Sequence, residues 1–248
     1  MTKSSRRVAI INDTSSYVGP DLARALAGRG HDLVIGDPHD GLVEELQQLG
    51  ATVEVVAGVG RLRSESDATT LVDRALQRFG QIDSAAMFSG QIIGGSFLKS
   101  TVVDLQRLYQ GCFEAPYHFL KAVTAPMVQR GEGQILVITS ASAARPTLMA
   151  PLYSSMRAGA TMLAKNVAAE VARNGVQVNA VGTNFMDFPA FLEASHATTP
   201  EGRARVEAQV PMGRLGTLSE FAAFCMPYVD GTSRFATGQY VSFAGGWA

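Results

Sequence analysis

The sequence predicts an α/β protein built on a single doubly wound parallel sheet of about seven strands, with helices on both faces. Three observations predict it. Short β-branched apolar runs alternate along the whole chain with stretches of helical period. The runs are apolar throughout instead of alternating with polar residues, as strands buried on both faces are. The chain is 46% hydrophobic and 17% charged over 248 residues, enough for one large core covered from two sides. No internal repeat, low-complexity tract or linker interrupts it, so residues 1–248 read as one domain.

Val8 to Asn12 reads as the first strand, followed by a helix from Gly19 to Arg29. Asp32 to Gly36 is the second strand, with a helix from Gly41 to Leu49, and Val53 to Ala57 is the third. Ala68 to Phe79 is helical and Gly80 closes it, as glycine does just past a helix end. Ser84 to Phe88 is the fourth strand. Val102 to Val128 is a long amphipathic segment, kinked or interrupted at Pro116. Gln134 to Thr139 is the fifth strand, and the next helix carries Tyr153 and runs to about Arg173. Gln177 to Val181 is the sixth strand, and a loop with short helices reaches about Met212. The helix Leu218 to Tyr228 and the strand Tyr240 to Phe243 complete the order. Right-handed crossovers then place all strand ends on one edge, where open α/β sheets bind ligands.

A net charge of −1 gives no electrostatic case for nucleic acid or an anionic membrane. Cys112 and Cys225 are too few and too scattered for a disulfide framework or a thiolate metal site, and read as buried free thiols. His31, His39, His118 and His196 have no metal-ligand spacing. No apolar run approaches the ~20 residues of a membrane span. The N-terminal Met-Thr-Lys-Ser-Ser-Arg-Arg leads into a strand without a signal-peptide core, so a soluble, cytoplasmic protein is expected.

Chemistry concentrates between Ser140 and Arg157. Ser140 ends a strand, Tyr153 lies in the following helix, and Arg157 stands one turn further on the same face. Strand end and helix can bring both hydroxyls to one cleft. The turn after the first strand is equally informative. A nucleotide-binding fold needs glycines there, so that a pyrophosphate can approach the helix N–H groups. Here the turn reads Asn12-Asp13-Thr14-Ser15-Ser16-Tyr17-Val18-Gly19, with only Gly19 left. Asp13 replaces the first glycine with a carboxylate that repels a pyrophosphate, and Tyr17 replaces the second with a ring that fills the coenzyme's space. Asp37 points the other way, because an acid at the end of the second strand binds an adenosine ribose; Asp37-Pro38 also reads as a plain turn.

These residues resemble the short-chain dehydrogenases/reductases, a Rossmann-like superfamily, over essentially the whole chain. The likeness rests on the Ser140/Tyr153 pair, Phe79-Gly80-x-x-Asp83, Val178-Asn179-Ala180-Val181 and the terminal Gly238-Gln239…Gly245-Gly246. Departures carry the rest. The superfamily's YxxxK is Tyr153-x-x-x-Arg157, and its NNAG is Met87-Phe88-Ser89-Gly90. Its helix asparagine falls near Cys112, and its Pro-Gly after the sixth strand is Thr183-Asn184-Phe185-Met186. Arginine for lysine, together with the lost glycines, is similar to the halohydrin dehalogenases. Ile138-Thr139-Ser140-Ala141, Ala158-Gly159-Ala160, the Asn184-aromatic turn and Arg214-Leu215-Gly216-Thr217 also look like that family.

That resemblance implies a Ser-Tyr-Arg triad of Ser140, Tyr153 and Arg157, no nicotinamide or other cofactor, and a halide pocket in the vacated region. The residues suit the chemistry. Free tyrosine titrates near ~10, and a permanent cation beside a phenol favours phenolate. Tyr153 then serves as general base towards a halohydrin hydroxyl, with Ser140 orienting that oxygen; in reverse a small anion opens an epoxide. Backbone amides of Asn184-Phe185-Met186 are placed as the halide nest, with Tyr17 as a wall. Trp247 reads either as a core or interface anchor or as a residue reaching a partner's halide pocket. Ser142 is a weaker alternative to Ser140, and Asp187 is either a partner behind the site or a solvated loop residue. Gln91–Leu98 and Phe188–Pro200 are expected to shape the substrate cavity. The implied partners are a small halohydrin or epoxide and a halide, with a homotetramer as the assembly. Two other hypotheses stand beside this one: an NAD(P)-dependent reductase with an atypical glycine loop, and a non-catalytic scaffold.

Overall fold

The computed structural model describes residues 6–89 and 91–248. Met1–Ser5 of the N-terminal heptapeptide and Gly90 of Met87-Phe88-Ser89-Gly90 lie outside the described residues. Seven parallel strands form one sheet in the order β3-β2-β1-β4-β5-β6-β7. The strands are β1 Arg7–Ile11, β2 His31–Gly36, β3 Val53–Val56, β4 Ser84–Phe88, β5 Gly133–Ser140, β6 Val176–Thr183 and β7 Tyr240–Phe243. Every residue of β2, β4 and β5 is buried, which is why their central runs Leu33–Ile35, Ala85–Phe88 and Ile135–Ile138 are apolar throughout. The predicted doubly wound parallel sheet is therefore the fold found, and β4 and β7 have the bounds expected from their sequences.

Helices cover both faces. α1 (Val18–Gly28), α2 (Leu42–Gln48) and α9 (Leu218–Cys225) pack their apolar stripes on one side, through Leu22, Leu26, Leu46 and Phe221. α3 (Glu65–Phe79), α5 (Ala115–Arg130) and α6 (Pro151–Val171) pack on the other, through Leu71, Phe119, Val123 and Ala164. The strand order reverses between β1 and β4, so the loops after these strands diverge and leave the crevice that such folds use.

Two boundaries differ from expectation for identifiable reasons. α3 starts at Glu65, before Ala68, because the Ser64 hydroxyl accepts from the Asp67 N–H and caps the first turn. The Val102–Val128 segment is not broken by Pro116. α4 (Val102–Tyr109), opened by a Thr101/Asp104 capping box, runs into one π turn at Gln110–Glu114 and continues as α5. Pro116 sits in the first turn after the wide π turn, where its missing N–H is tolerated. The loop after β6 carries α7 (Pro189–Ala194) and α8 (Pro200–Glu207), the short helices anticipated there. Among the described residues, no helix is long and apolar enough to cross a membrane, and no group of metal-ligating side chains converges. Cys112 and Cys225 are both buried and free.

Candidate active site

Ser140 is the last residue of β5, and its neighbours on β6 and β7 hold it. The Tyr240 hydroxyl donates to the Ser140 carbonyl at 3.0 Å. Gly182 permits this: a Cβ there would lie 2.4 Å from the Tyr240 hydroxyl and 2.7 Å from the Ser140 carbonyl oxygen. The Ser140 hydroxyl is buried at the start of the short turn Ala141–Ala143. It accepts from the Ser142 N–H at 3.2 Å and the Ser142 hydroxyl at 2.9 Å, and donates weakly to the Thr183 carbonyl at 3.4 Å.

Arg157 comes from α6, one turn after Tyr153. Its side chain is buried at 4% exposure, with Cζ 5.1 Å from the centre of the Tyr153 ring. Its two terminal nitrogens both reach Ser89, at 3.0 Å to the hydroxyl and 2.5 Å to the carbonyl. The guanidinium is thereby held just past the end of β4, over the Tyr153 ring. Burial works against its charge, but the Tyr153 phenol and the Cys112 thiol outweigh burial and raise its pKa further. Cys112 lies on the π turn, donating to the Gln91 carbonyl at 3.1 Å, and burial raises its thiol pKa despite the Arg157 charge.

Tyr17 closes the site from the other half of the sheet. It caps α1 with φ 55°, a left-handed conformation that glycine adopts more readily. Its ring packs among Phe88, Phe188 and Phe221, with centroids 5.4, 4.8 and 6.2 Å away. Its hydroxyl lies 2.5 Å from the Thr183 hydroxyl at the end of β6. Burial pushes the Tyr17 phenol well above its ordinary range, with Tyr153 and Arg157 both close enough to be felt.

The fold implies a nicotinamide dinucleotide, and the residues present do not fit one. The Tyr17 ring and its bond to Thr183 span the crevice between the β1 and β6 ends. The Asp13 carboxylate accepts from the Ser15 N–H at 2.9 Å and the Ser15 hydroxyl at 2.6 Å, folding the turn over the start of α1. A Cβ on Gly19 would sit 2.1 Å from the Asp13 carbonyl oxygen, so this glycine serves the turn's own closure. Asp37, the residue that pointed towards a ribose, spends both carboxylate oxygens on the Gly58 and Gly60 N–H groups, at 2.6 and 2.8 Å.

Asn184, Phe185 and Met186 follow Thr183 as expected but open elsewhere. They line a cavity of about 350 Å³ together with Arg214, Ser242 and Gly245. Tyr17 does not line that cavity. The Phe185 N–H is taken by the Asn184 side chain at 2.9 Å, and the Phe185 ring packs edge-on against Trp247 at 5.4 Å. Trp247 thus anchors this turn within its own chain, with Arg145 stacked 4.8 Å above it. Asp187 pairs with Arg203 at 2.5 Å.

Two residues of the site were not singled out as site residues from sequence: Thr183, which joins Tyr17 to the Ser140 region, and Ser89, which holds Arg157. Ser142, read as a weaker alternative to Ser140, bonds it directly. The signals were the substituted NNAG and Pro-Gly positions, which contain Ser89 and Thr183.

A family model described as enoyl-(acyl carrier protein) reductase matches residues 14–248. A 7alpha-hydroxysteroid dehydrogenase of Escherichia coli (strain K12) is 25% identical, over 97% of this chain and 93% of its own length. Among solved structures, an actinorhodin polyketide ketoreductase with NADPH superposes with a TM-score of 0.91 at 23% identity, covering 100% of this chain and 99% of that one. A structure described as a dehalogenation enzyme superposes with a TM-score of 0.82 at 25% identity, covering 98% of each chain.

Proposed function

Since the chain belongs to the short-chain dehydrogenase/reductase family whose model is described as enoyl-(acyl carrier protein) reductase, we propose that this enzyme works without that superfamily's coenzyme, as a halohydrin dehalogenase. The observation that carries the reading is the Tyr17 phenol bonded to Thr183 across the coenzyme crevice. The similarity to a structure described as a dehalogenation enzyme supports it.

In this mechanism Tyr153 accepts the proton of the substrate hydroxyl, beside the fixed Arg157 charge. The freed oxygen attacks the adjacent carbon; the new C–O bond forms as the carbon–halogen bond breaks, and the halide leaves with the electron pair. Ser140 hydrogen-bonds the reacting oxygen and orients it. In reverse, Tyr153 returns the proton as a small anion such as azide, cyanide or nitrite opens the epoxide. The Asn184–Met186 turn, beside Thr183, receives the anion or the substrate's far end. A homotetramer is part of the same proposal, supported by exposed apolar residues Val102, Val103, Tyr109 and Met162 on α4 and α6.

The second reading is an NAD(P)-dependent reductase. The family description and the dehydrogenase relative favour it, and by name the comparisons lean that way more than towards dehalogenation. It requires Tyr17 to leave Thr183 and Asp13 to unfold from the head of α1. Two measurements separate the readings. Purified enzyme with 1,3-dichloro-2-propanol should release chloride and acid with no nucleotide added. Titration calorimetry with NADH and NADPH should give no heat of binding; tight binding, or silence across vicinal halohydrins and epoxides with azide, would overturn the proposal.

A further inference from the structure

The Ser140 hydroxyl has one proton and two lone pairs. Both lone pairs are engaged from the same residue: the Ser142 N–H at 3.2 Å and the Ser142 hydroxyl at 2.9 Å. Ser142 is buried at 4% exposure, next to the Ser140 it serves, so solvent does not compete for its proton. With both lone pairs filled, Ser140 cannot accept from an incoming substrate. Its proton is the only part left to offer, and the one acceptor it has among the described residues, the Thr183 carbonyl, is at the long limit of 3.4 Å. A substrate oxygen arriving at normal distance displaces that weak contact at little cost.

The geometry points to Ser142 as a positioning residue that makes Ser140 an obligate donor. Ser142 touches no reacting atom; it acts by occupying the acceptor side of Ser140 and polarising its O–H outward. The Tyr240 hydroxyl does the matching task for the backbone, holding the Ser140 carbonyl from the far side. The inference rests on Ser140 being the hydroxyl that meets the substrate oxygen. That holds whether the oxygen is a halohydrin alkoxide or a ketone carbonyl, so it survives the failure of the dehalogenase reading.

A double-mutant cycle tests it, using whichever turnover the wild-type chain shows, halide release or nucleotide-dependent reduction. Ser142→Ala keeps the backbone N–H and removes one hydrogen bond; kcat should fall by about ten-fold with KM little changed, the size of one neutral hydrogen bond. Ser142→Thr, which keeps a hydroxyl, should recover most of the rate. In a Ser140→Ala background, Ser142→Ala should cost nothing further, because its only route to the chemistry is gone. The same fold-loss with and without Ser140, or no loss in the Ser142→Ala enzyme, would overturn the inference. If Ser142→Ala melts substantially lower than wild type, Ser142→Cys takes its place in the cycle with the same criteria.

Discussion

The two halves of the sheet's carboxyl edge have been treated differently. On the β1–β2 side, the polar groups that would face a dinucleotide have turned inward: Asp13 bonds Ser15, Asp37 bonds Gly58 and Gly60, and Tyr17 fills the gap. On the β5–β6 side, Arg157 is tied to Ser89 over the Tyr153 ring, and Ser140 is bonded to Ser142 with only a long 3.4 Å contact from its proton to Thr183. On the dehalogenase reading proposed above, the half of the edge that would bind a coenzyme is rebuilt while the half that carries Tyr153 and Arg157 stands.

The sharpest way to break that comparison is to remove the phenol on the reacting side. Tyr153→Phe should lower turnover by about a hundred-fold or more without moving the melting temperature, the size of a lost general acid–base. Removing the phenol on the rebuilt side should do the converse. Tyr17→Ala empties a ring from the Phe88/Phe188/Phe221 cluster and should cost about 3 kcal/mol in denaturant unfolding. NADPH affinity that wild type lacks and Tyr17→Ala gains would make this ring the block that the proposal assigns to it; equal binding by both proteins would break the comparison. Arg157→Lys should lower turnover about ten-fold, since one ammonium cannot reproduce both bonds to Ser89 while staying over the Tyr153 ring. Asp37→Asn should cost about 1 kcal/mol of stability, with no change in turnover, because one of its two amide bonds is lost.

The smallest effect is one of pH. Burial raises the folded-state pKa of the Tyr17 phenol, so the folded chain holds this proton more tightly than the unfolded one. The associated stability is complete below the unfolded tyrosine value of about 10 and is lost as pH climbs above it. Unfolding free energy should therefore show no Tyr17-dependent slope between about pH 6 and 9 and an alkaline decline beyond, and Tyr17→Phe should flatten that decline.

Much of the fold was legible because a buried parallel strand must be apolar on both faces, and β4 could be bounded to the residue on that ground; β7, half-buried at the sheet's edge, was bounded equally well. The π turn at Gln110–Glu114 was not legible, since a change of backbone register leaves no particular residue type behind, and Pro116 drew attention instead. The contact of Arg157 with Tyr153 was legible because one helical turn fixes their spacing. Tyr17 could be read as a bulky side chain where glycine is needed, but its target could not: Thr183 is brought to it only by the parallel pairing of β5 with β6. Ser89 stayed hidden for the same reason, because a serine at the end of β4 becomes an arginine's anchor only once α6 crosses it. The turn 184–186 was placed correctly in the chain, yet its cavity is completed by Gly245 and Gly246, which no local pattern connects to it.

The π turn sets the azimuth of everything before it. It takes up one extra residue in an otherwise continuous helical rod, so winding Gln110–Glu114 as ordinary α-helix without shortening the chain would turn the preceding α4 by about 100° about its axis. Val102, Val103 and Tyr109 would then face a different neighbour, while Cys112 and Gln91 would lose their alignment behind the arginine. One residue of excess length there keeps an outer surface and an interior contact in phase.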